Sequence, residues 1–432
     1  MYRKRSIFIK ATIILVALCL ITFLVRSFPR RITNKPFRYD IEINAKPISI
    51  NLKLTNAMSY FPGCEKIDYK IKKFMKRWEI KGGSLAVIDK GKLVYAKGYG
   101  WADQEDSIYT QPGHIFRLAS LSKIITATAI MKLQEETLLN IHDKVFGEDG
   151  ILNDPEFQNI RDKRIKSITI EQLLRHQGGF TMYRGDPCFT TREIIIWEKL
   201  DHVPNMDEVI QYVLKQRLGY TPGYRVCYSN VGYLILSKII EKVSGMKYED
   251  YCQQKLLHPA GCYDFQIANN TFEEKYPNEV RYYEQHDSEL IPAYDNKGEI
   301  LYKCNGGTNV HGLYGAGAWV ASPTEYIRFI SHIDGDNKIP DILTKKSIKE
   351  MTSHPKGGFP FGWVRANPNS YWLRTGTLAG TSAVVMKMTD GKIWMFVTNT
   401  SSWKGSHFTS NIRSIYNKYL KRVKWPKRDL YY

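Results

Sequence analysis

The hydrophobic positions of this chain fall into three patterns. An unbroken apolar run stretches from Ala11 to Val25, short β-rich runs gather around tight turns near both ends of the remaining chain, and helical periods occupy most of the middle. Ser84–Ile88 and Leu93–Ala96 flank Asp89-Lys90-Gly91-Lys92, which predicts a hairpin. Gly380–Met388 and Lys392–Thr398 flank Thr389-Asp390-Gly391 and predict a second one. Residues 66–78 fit a helix with Ile67, Ile71, Phe74 and Met75 on one side. From about 140 to 310 helical stretches lie near 170–176, 206–217, 230–243 and 247–256, joined by loops rich in Pro, Gly and Asn, with no convincing period-2 run. A final helix, about 407 to 420, precedes a basic end.

Hairpins at both ends of the globular part predict an α+β fold: one mainly antiparallel sheet assembled from the two chain ends, flanked by helices, with a largely helical inserted lobe at about 140–310. The expected division is a membrane anchor or signal segment at 1–30 and a stalk and lead-in at 31–65, including Ile41-Glu42-Ile43 and Ile48–Leu52. The main domain then spans 66–422, with a basic tail at 423–432. A cleft between two lobes is the natural place for a site.

Composition narrows the function classes. With 432 residues, 43% hydrophobic and 24% charged, the chain has ample material for a core. Its net charge of +19 is spread through the sequence, and no zinc-knuckle, helix-turn-helix or RNA-binding signature accompanies it, so no nucleic-acid partner is expected. Arg3, Lys4 and Arg5 precede the apolar run, and no small-x-small cleavage site follows Val25; Arg26-Ser27-Phe28-Pro29-Arg30-Arg31 comes instead. The expectation is an uncleaved membrane anchor, a cleaved signal peptide being the competing reading. Basic residues on both flanks leave its orientation open. Outside that segment stand Cys64, Cys188, Cys227, Cys252, Cys262 and Cys304, an even number compatible either with disulfides or with buried thiols. None shows zinc-site spacing.

The candidate chemistry starts at Ser120. The helix running from there to Leu133 is apolar nearly all round, as a buried helix is, yet Ser120 and Lys123 lie one turn apart at its start. A lysine among apolar neighbours loses hydration and its charged form is disfavoured. A neutral amine within reach of a hydroxyl is a base beside a nucleophile. Ser-x-x-Lys recurs at Ser244/Lys247, Ser353/Lys356 and Ser401/Lys404, but only the Ser120 example opens a long apolar helix. Tyr228-Ser229-Asn230 precedes another apolar helix, where a core tyrosine and an N-cap are the competing readings. Arg374-Thr375-Gly376-Thr377 sits on or beside a strand edge. The chain thus supplies, in order, a serine with a lysine, a tyrosine with an amide, and a cationic Thr-Gly strand.

In these motifs the chain resembles the serine β-lactamase-like superfamily: class C β-lactamases, DD-peptidases and related esterases. The Gly83–Gly100 hairpin, Phe116-Arg117-Leu118-Ala119, Leu173–Gly179, Gly315-Ala316-Gly317 and Gly376–Thr381 extend the likeness along most of residues 66–420. The resemblance implies a serine hydrolase acting through an acyl-enzyme on small amides, D-amino-acid peptides or esters, with no cofactor or metal, facing the periplasm or exterior. By the same resemblance Ser120 is the nucleophile, Lys123 helps remove its proton and Tyr228 relays that proton. Asn230, Arg374, Thr375, Gly376 and Thr377 form the substrate-binding set, the backbone N–H groups of Ser120 and Thr377 making the oxyanion hole. One residue departs from the pattern: the third motif usually begins with Lys or His, and here it begins with Arg374. A catalytically inactive binder of cell-wall peptide or another ligand is the alternative. His176 reads as a hydrogen-bonded turn residue, and Gly315 and Gly317 as permitting a tight turn.

Overall fold

The run Gly82–Asp89 shows how the sheet is made. All but its last residue are buried, and its side chains divide by parity: Leu85 and Val87 join one apolar cluster, Ala86 and Ile88 the other. A strand covered on both faces reads as a continuous apolar run, which Leu85–Ile88 is. The computed structural model describes residues 53–181, 185–286, 288–353, 357–401 and 407–432, all within the unit Pro47–Tyr432. The expected anchor at 11–25 and the strand-like stretches 41–43 and 48–52 lie outside the described residues. Among the described residues no helix is long and apolar enough to cross a membrane.

In chain order the strands are β1 (Gly82–Asp89), β2 (Lys92–Asp103), β3 (Ile108–Tyr109), β4 (Phe116–Arg117), β5 (Gln266–Ile267) and β6 (Ile291–Pro292). After them come β7 (Ile300–Leu301), β8 (Trp319–Ala321), β9 (Arg365–Ala366), β10 (Tyr371–Leu378), β11 (Thr381–Met388) and β12 (Ile393–Thr398). The main sheet has the order β3-β2-β1-β12-β11-β10-β9 with neighbours antiparallel. Its two halves join where Ser84 of β1 pairs with Val397 of β12, so the sheet is assembled from both chain ends as expected. The predicted hairpins are β1–β2 and β11–β12.

The helices are α1 (Cys64–Arg77), α2 (Ser122–Glu135), α3 (Ile170–Leu174), α4 (Thr191–Glu198) and α5 (Met206–Leu214), then α6 (Asn230–Ser244), α7 (Tyr248–Cys252), α8 (Pro323–Ser331), α9 (Lys345–Thr352) and α10 (His407–Lys418). Helices α1 and α10 cover one face of the sheet. Phe74 lies edge-on to Phe396 at 6.1 Å, Phe408 stacks on Phe396 at 6.3 Å, and Tyr416 stacks on Trp394 at 4.7 Å. Truncating an aromatic in such a cluster costs about 3–5 kcal/mol. On the other face lie α2, α6 and α8 in the larger cluster, with Ile124, Ile130, Leu234 and Ile327 wholly buried.

Within 140–310, α3 and α5 begin with capping boxes, Thr169 with Gln172 and Asn205 with Glu208, while the Ser229 hydroxyl accepts from the Gly232 amide at the start of α6. Three strands also occur there, β5, β6 and β7, each of two residues and too short to leave an alternating pattern. The final residues form part of the body. Trp425 packs 5.6 Å from the Tyr95 ring, the Leu430 amide donates to Leu93 O at 2.8 Å, and the Tyr431 hydroxyl donates to Thr324 O at 2.7 Å. All six described cysteines are free thiols, and all but Cys227 are buried.

Candidate active site

Ser120 sits where a short strand gives way to a buried helix. After β4 the chain turns through Ala119, whose φ of 50° is a left-handed conformation that a non-glycine residue adopts at a cost. This turn delivers Ser120 to the foot of α2, one turn before Lys123. Strand β10 presses against it. A Cβ on Gly376 would fall 2.5 Å from Leu118 O and 3.0 Å from the Ser120 nitrogen, so only glycine lets the strand come this close. Thr375 is half-buried and Thr377 exposed on the same strand, Thr377 facing Ser382 across the hairpin.

The Lys123 side chain has no solvent exposure. Its Nζ donates to Asn230 Oδ1 at 2.6 Å, to the Ala316 carbonyl, and to Ser120 Oγ at 3.3 Å. Burial pushes the amine's pKa down, and the Arg374 charge pushes the same way, while Tyr228 opposes both. Asn230 opens α6, and its Nδ2 donates to Asp186 Oδ2 at 2.7 Å. Asp186 is held in turn by the Cys188 amide at 3.0 Å. Gly315 matters through proximity: a Cβ there would lie 2.4 Å from Thr126 Oγ1, so glycine lets the Ala316 carbonyl reach the lysine.

Tyr228 completes the cluster. Its hydroxyl lies 2.8 Å from Ser120 Oγ and accepts from Arg374 Nη2 at 2.7 Å. Burial alone would raise its pKa; the charges of Arg374 and then Lys123 outweigh that and hold it at about 8. Arg374 is 1% exposed, and its Nε donates to Ser120 O at 2.8 Å. Its remaining nitrogen, Nη1, is buried without a hydrogen-bond partner among the described residues. The guanidinium is therefore taken up inside the cluster instead of being held out into the cleft.

The structure brings Ser120, Lys123, Tyr228, Asn230, Arg374 and Gly376 together. Three further contributors escaped the sequence reading or were undervalued by it. Asp186 orients Asn230, the Ala316 carbonyl receives Lys123, and the His176 ring lies against Tyr228 at 4.3 Å. His176 Nδ1 accepts the Ser229 amide at 3.2 Å, which leaves the ring proton on Nε2. Burial and the neighbouring Lys123 and Arg374 charges push its pKa well below the usual value, so it serves as a neutral wall. A lone carboxylate in a Gly-Asp-Pro loop and a backbone carbonyl carry no mark in sequence; the His176 stack is hinted only by its place in Leu173–Gly179. Asp186 and Ser229 also line a cavity of about 690 Å³ walled by Phe180, Tyr212 and Trp197. Among the described residues no cluster of three His, Cys, Asp or Glu side chains is placed to hold a metal ion.

An antiparallel sheet with a helical lobe, and the order Ser-x-x-Lys, Tyr-x-Asn, Arg-Thr-Gly around one buried cluster, define the β-lactamase and penicillin-binding protein class of fold. The chain belongs to the Beta-lactamase family, whose model matches residues 67–414. It is 29% identical over 296 residues to a penicillin-binding protein of Bacillus subtilis (strain 168), covering 66% of this chain and 60% of that one. Among solved structures it is similar to the octameric penicillin-binding protein homologue from Pyrococcus abyssi, at 24% identity and a TM-score of 0.61 over 85% of this chain and 79% of the other. It is similar also to D-amino acid amidase from Ochrobactrum anthropi SV3, at 20% identity and a TM-score of 0.64, over 83% of this chain and 99% of that one.

Proposed function

We propose that the protein is a serine hydrolase that forms an acyl-enzyme on Ser120, with small amides, D-amino-acid peptides or esters as substrates. One observation carries this reading: Ser120 Oγ stands 2.8 Å from a tyrosine oxygen whose pKa is held at about 8 and 3.3 Å from a buried lysine amine. Such a hydroxyl has a base on one side, the Tyr228 oxygen, and on the other the lysine whose charge keeps that oxygen acidic.

In the first half-reaction Ser120 Oγ would attack the acyl carbon while its proton passes to the Tyr228 phenolate. Lys123 and Arg374, both cationic neighbours of that oxygen, favour the phenolate beforehand. Tyr228 would then give the proton to the leaving amine or alcohol, later take one from the water that attacks the ester, and pass it to the departing Ser120 Oγ, which restores the phenolate. The backbone N–H groups of Ser120 and Thr377 would receive the developing oxyanion, and the tight seating of Gly376 against Ser120 keeps the two peptide segments adjacent. The relatives' names, penicillin-binding protein and D-amino acid amidase, fit amide chemistry of this kind. The alternative of a non-catalytic ligand-binding member has no comparable support, because a binder has no use for an acidified phenol on a serine hydroxyl.

Turnover of p-nitrophenyl esters and D-phenylalanine amide tests the proposal. Wild-type protein should hydrolyse at least one of them, and Ser120→Ala should abolish that turnover while remaining folded; undiminished turnover in Ser120→Ala would refute it. We further propose that the apolar run, which reaches spanning length when counted from Ile7 to Val25, anchors the protein in a membrane, a reading supported by that length and by Arg3, Lys4 and Arg5 before it. The likeness to a penicillin-binding protein supports a catalytic domain outside the cytoplasm. Retention of the full chain in the membrane pellet after alkaline carbonate extraction is the expected result; release would contradict it.

A further inference from the structure

The basic residues that look dispersed along the sequence are concentrated in space. Helix α1 carries six Lys or Arg against two acidic residues, and residues 407–428 carry seven with no Asp or Glu at all. These two segments lie far apart in the chain but together form the layer on one face of the sheet, packed through Phe74, Phe408 and Tyr416. Lys70 Nζ ties them at the surface, 4.3 Å from the Tyr419 ring and 5.3 Å from the Tyr69 ring. Lys72, Lys73 and Lys76 on α1, and Lys421 and Lys424 beyond α10, are exposed. Exposed Tyr60, Tyr69 and Tyr419 stand among them.

We propose that this layer is a docking surface for an anionic lipid bilayer. Two observations favour a bilayer over other polyanions. The charge is spread over two helical segments on one sheet face, as a flat charged partner requires. The interspersed tyrosines are of the amphipathic kind that sits at headgroup level. Basic residues near an anionic leaflet gain attraction that salt screens. The Ser120 cluster belongs to the opposite face of the sheet, where α2 and α6 pack, so docking through α1 and α10 leaves it uncovered.

The test is lysine acetylation of the full-length protein on vesicles, read residue by residue by peptide mass spectrometry. On phosphatidylglycerol vesicles Lys72, Lys73, Lys76, Lys421 and Lys424 should be acetylated roughly fivefold more slowly than on phosphatidylcholine. The exposed Lys163 and Lys199 of the helical lobe should not change. High salt should abolish the protection, and so should the triple variant Lys72→Glu, Lys73→Glu, Lys76→Glu, with hydrolysis unchanged. Co-flotation with phosphatidylcholine reports the apolar anchor alone, so failure of the anchor reading is distinguishable from failure of this one. Equal labelling on the two lipids overturns the proposal. Protection produced to the same degree by soluble polyphosphate overturns it in favour of a dissolved polyanion.

Discussion

Arg374 Nη2 donates to the Tyr228 hydroxyl at 2.7 Å, the guanidinium buried and the tyrosine half-buried. A cation that cannot lose its charge thus faces a phenol in a medium of low dielectric, where its effect is larger than in water. The usual motif supplies Lys or His at this place; Arg adds the second bond from Nε to Ser120 O, which ties the nucleophile's peptide to the tyrosine. Arg374 so acts on Tyr228 first, and a substrate meets its effect through the tyrosine.

The pH dependence of acylation follows from this. Below a pH of about 8 Tyr228 carries its proton and cannot take one from Ser120; above it the phenolate prevails. The rate of fluorophosphonate labelling should therefore rise with pH to a plateau, half-maximal near pH 8. Arg374→Met removes the largest favourable charge, so the Tyr228 pKa rises and the profile moves to higher pH by roughly 1–3 units. A profile unmoved by Arg374→Met would mean that another group limits the rate.

Among the described residues the Asp186 side chain hydrogen-bonds to Asn230 and to the Cys188 amide, so its expected effect on the reaction is indirect. Asp186→Ala leaves the Asn230 Nδ2 unpaired in a buried place, costing about 1–3 kcal/mol of stability. Lys123 then loses a fixed partner, and kcat should fall while KM changes little. Asp186→Asn keeps an acceptor oxygen and should restore most of kcat. Chemical denaturation and steady-state kinetics on both variants separate positioning from mere folding.

Gly376→Ala is the sharpest steric test. The added methyl would meet a backbone oxygen at 2.5 Å, which no side-chain rotation relieves. The strand must retreat from Ser120, with a loss of about 1–3 kcal/mol in stability and a larger loss in acylation. A variant with wild-type labelling rate would show that the strand's approach has no part in the reaction.

Thiol accessibility gives an independent check on the fold. Among Cys64, Cys188, Cys227, Cys252, Cys262 and Cys304, Cys227 alone is not buried. Alkylation of the native protein should modify Cys227 first of these six, and reduction should leave its thermal midpoint unchanged. A midpoint lowered by reductant would reveal a disulfide that the structure does not contain.

The parts legible in the sequence are those with a local signature. Ser84–Ala96 and Gly380–Thr398 announce their hairpins through turn residues between β-rich runs, and the all-round apolar helix marks Lys123 as buried. Tyr228 and Asn230 are fixed in place by the helix start that Ser229 caps. The residues that escaped have no local mark. Arg374 could as well have pointed into the cleft; its inward course is decided by strand parity and by Gly376 beside Ser120. Asp186 acts across 44 positions of sequence, and the Ala316 carbonyl across 193. The basic layer is hidden for the same reason, since its halves are separated by nearly the whole described chain.

Intact-mass spectrometry after brief exposure to a fluorophosphonate or to fluorescent penicillin bears most directly on the acyl-enzyme. The wild-type protein should gain the mass of one adduct from at least one of these probes, on the peptide that contains Ser120, and Ser120→Ala should gain none. An adduct on a different residue, or a folded wild-type protein that takes up neither probe and turns over no ester, would contradict the account.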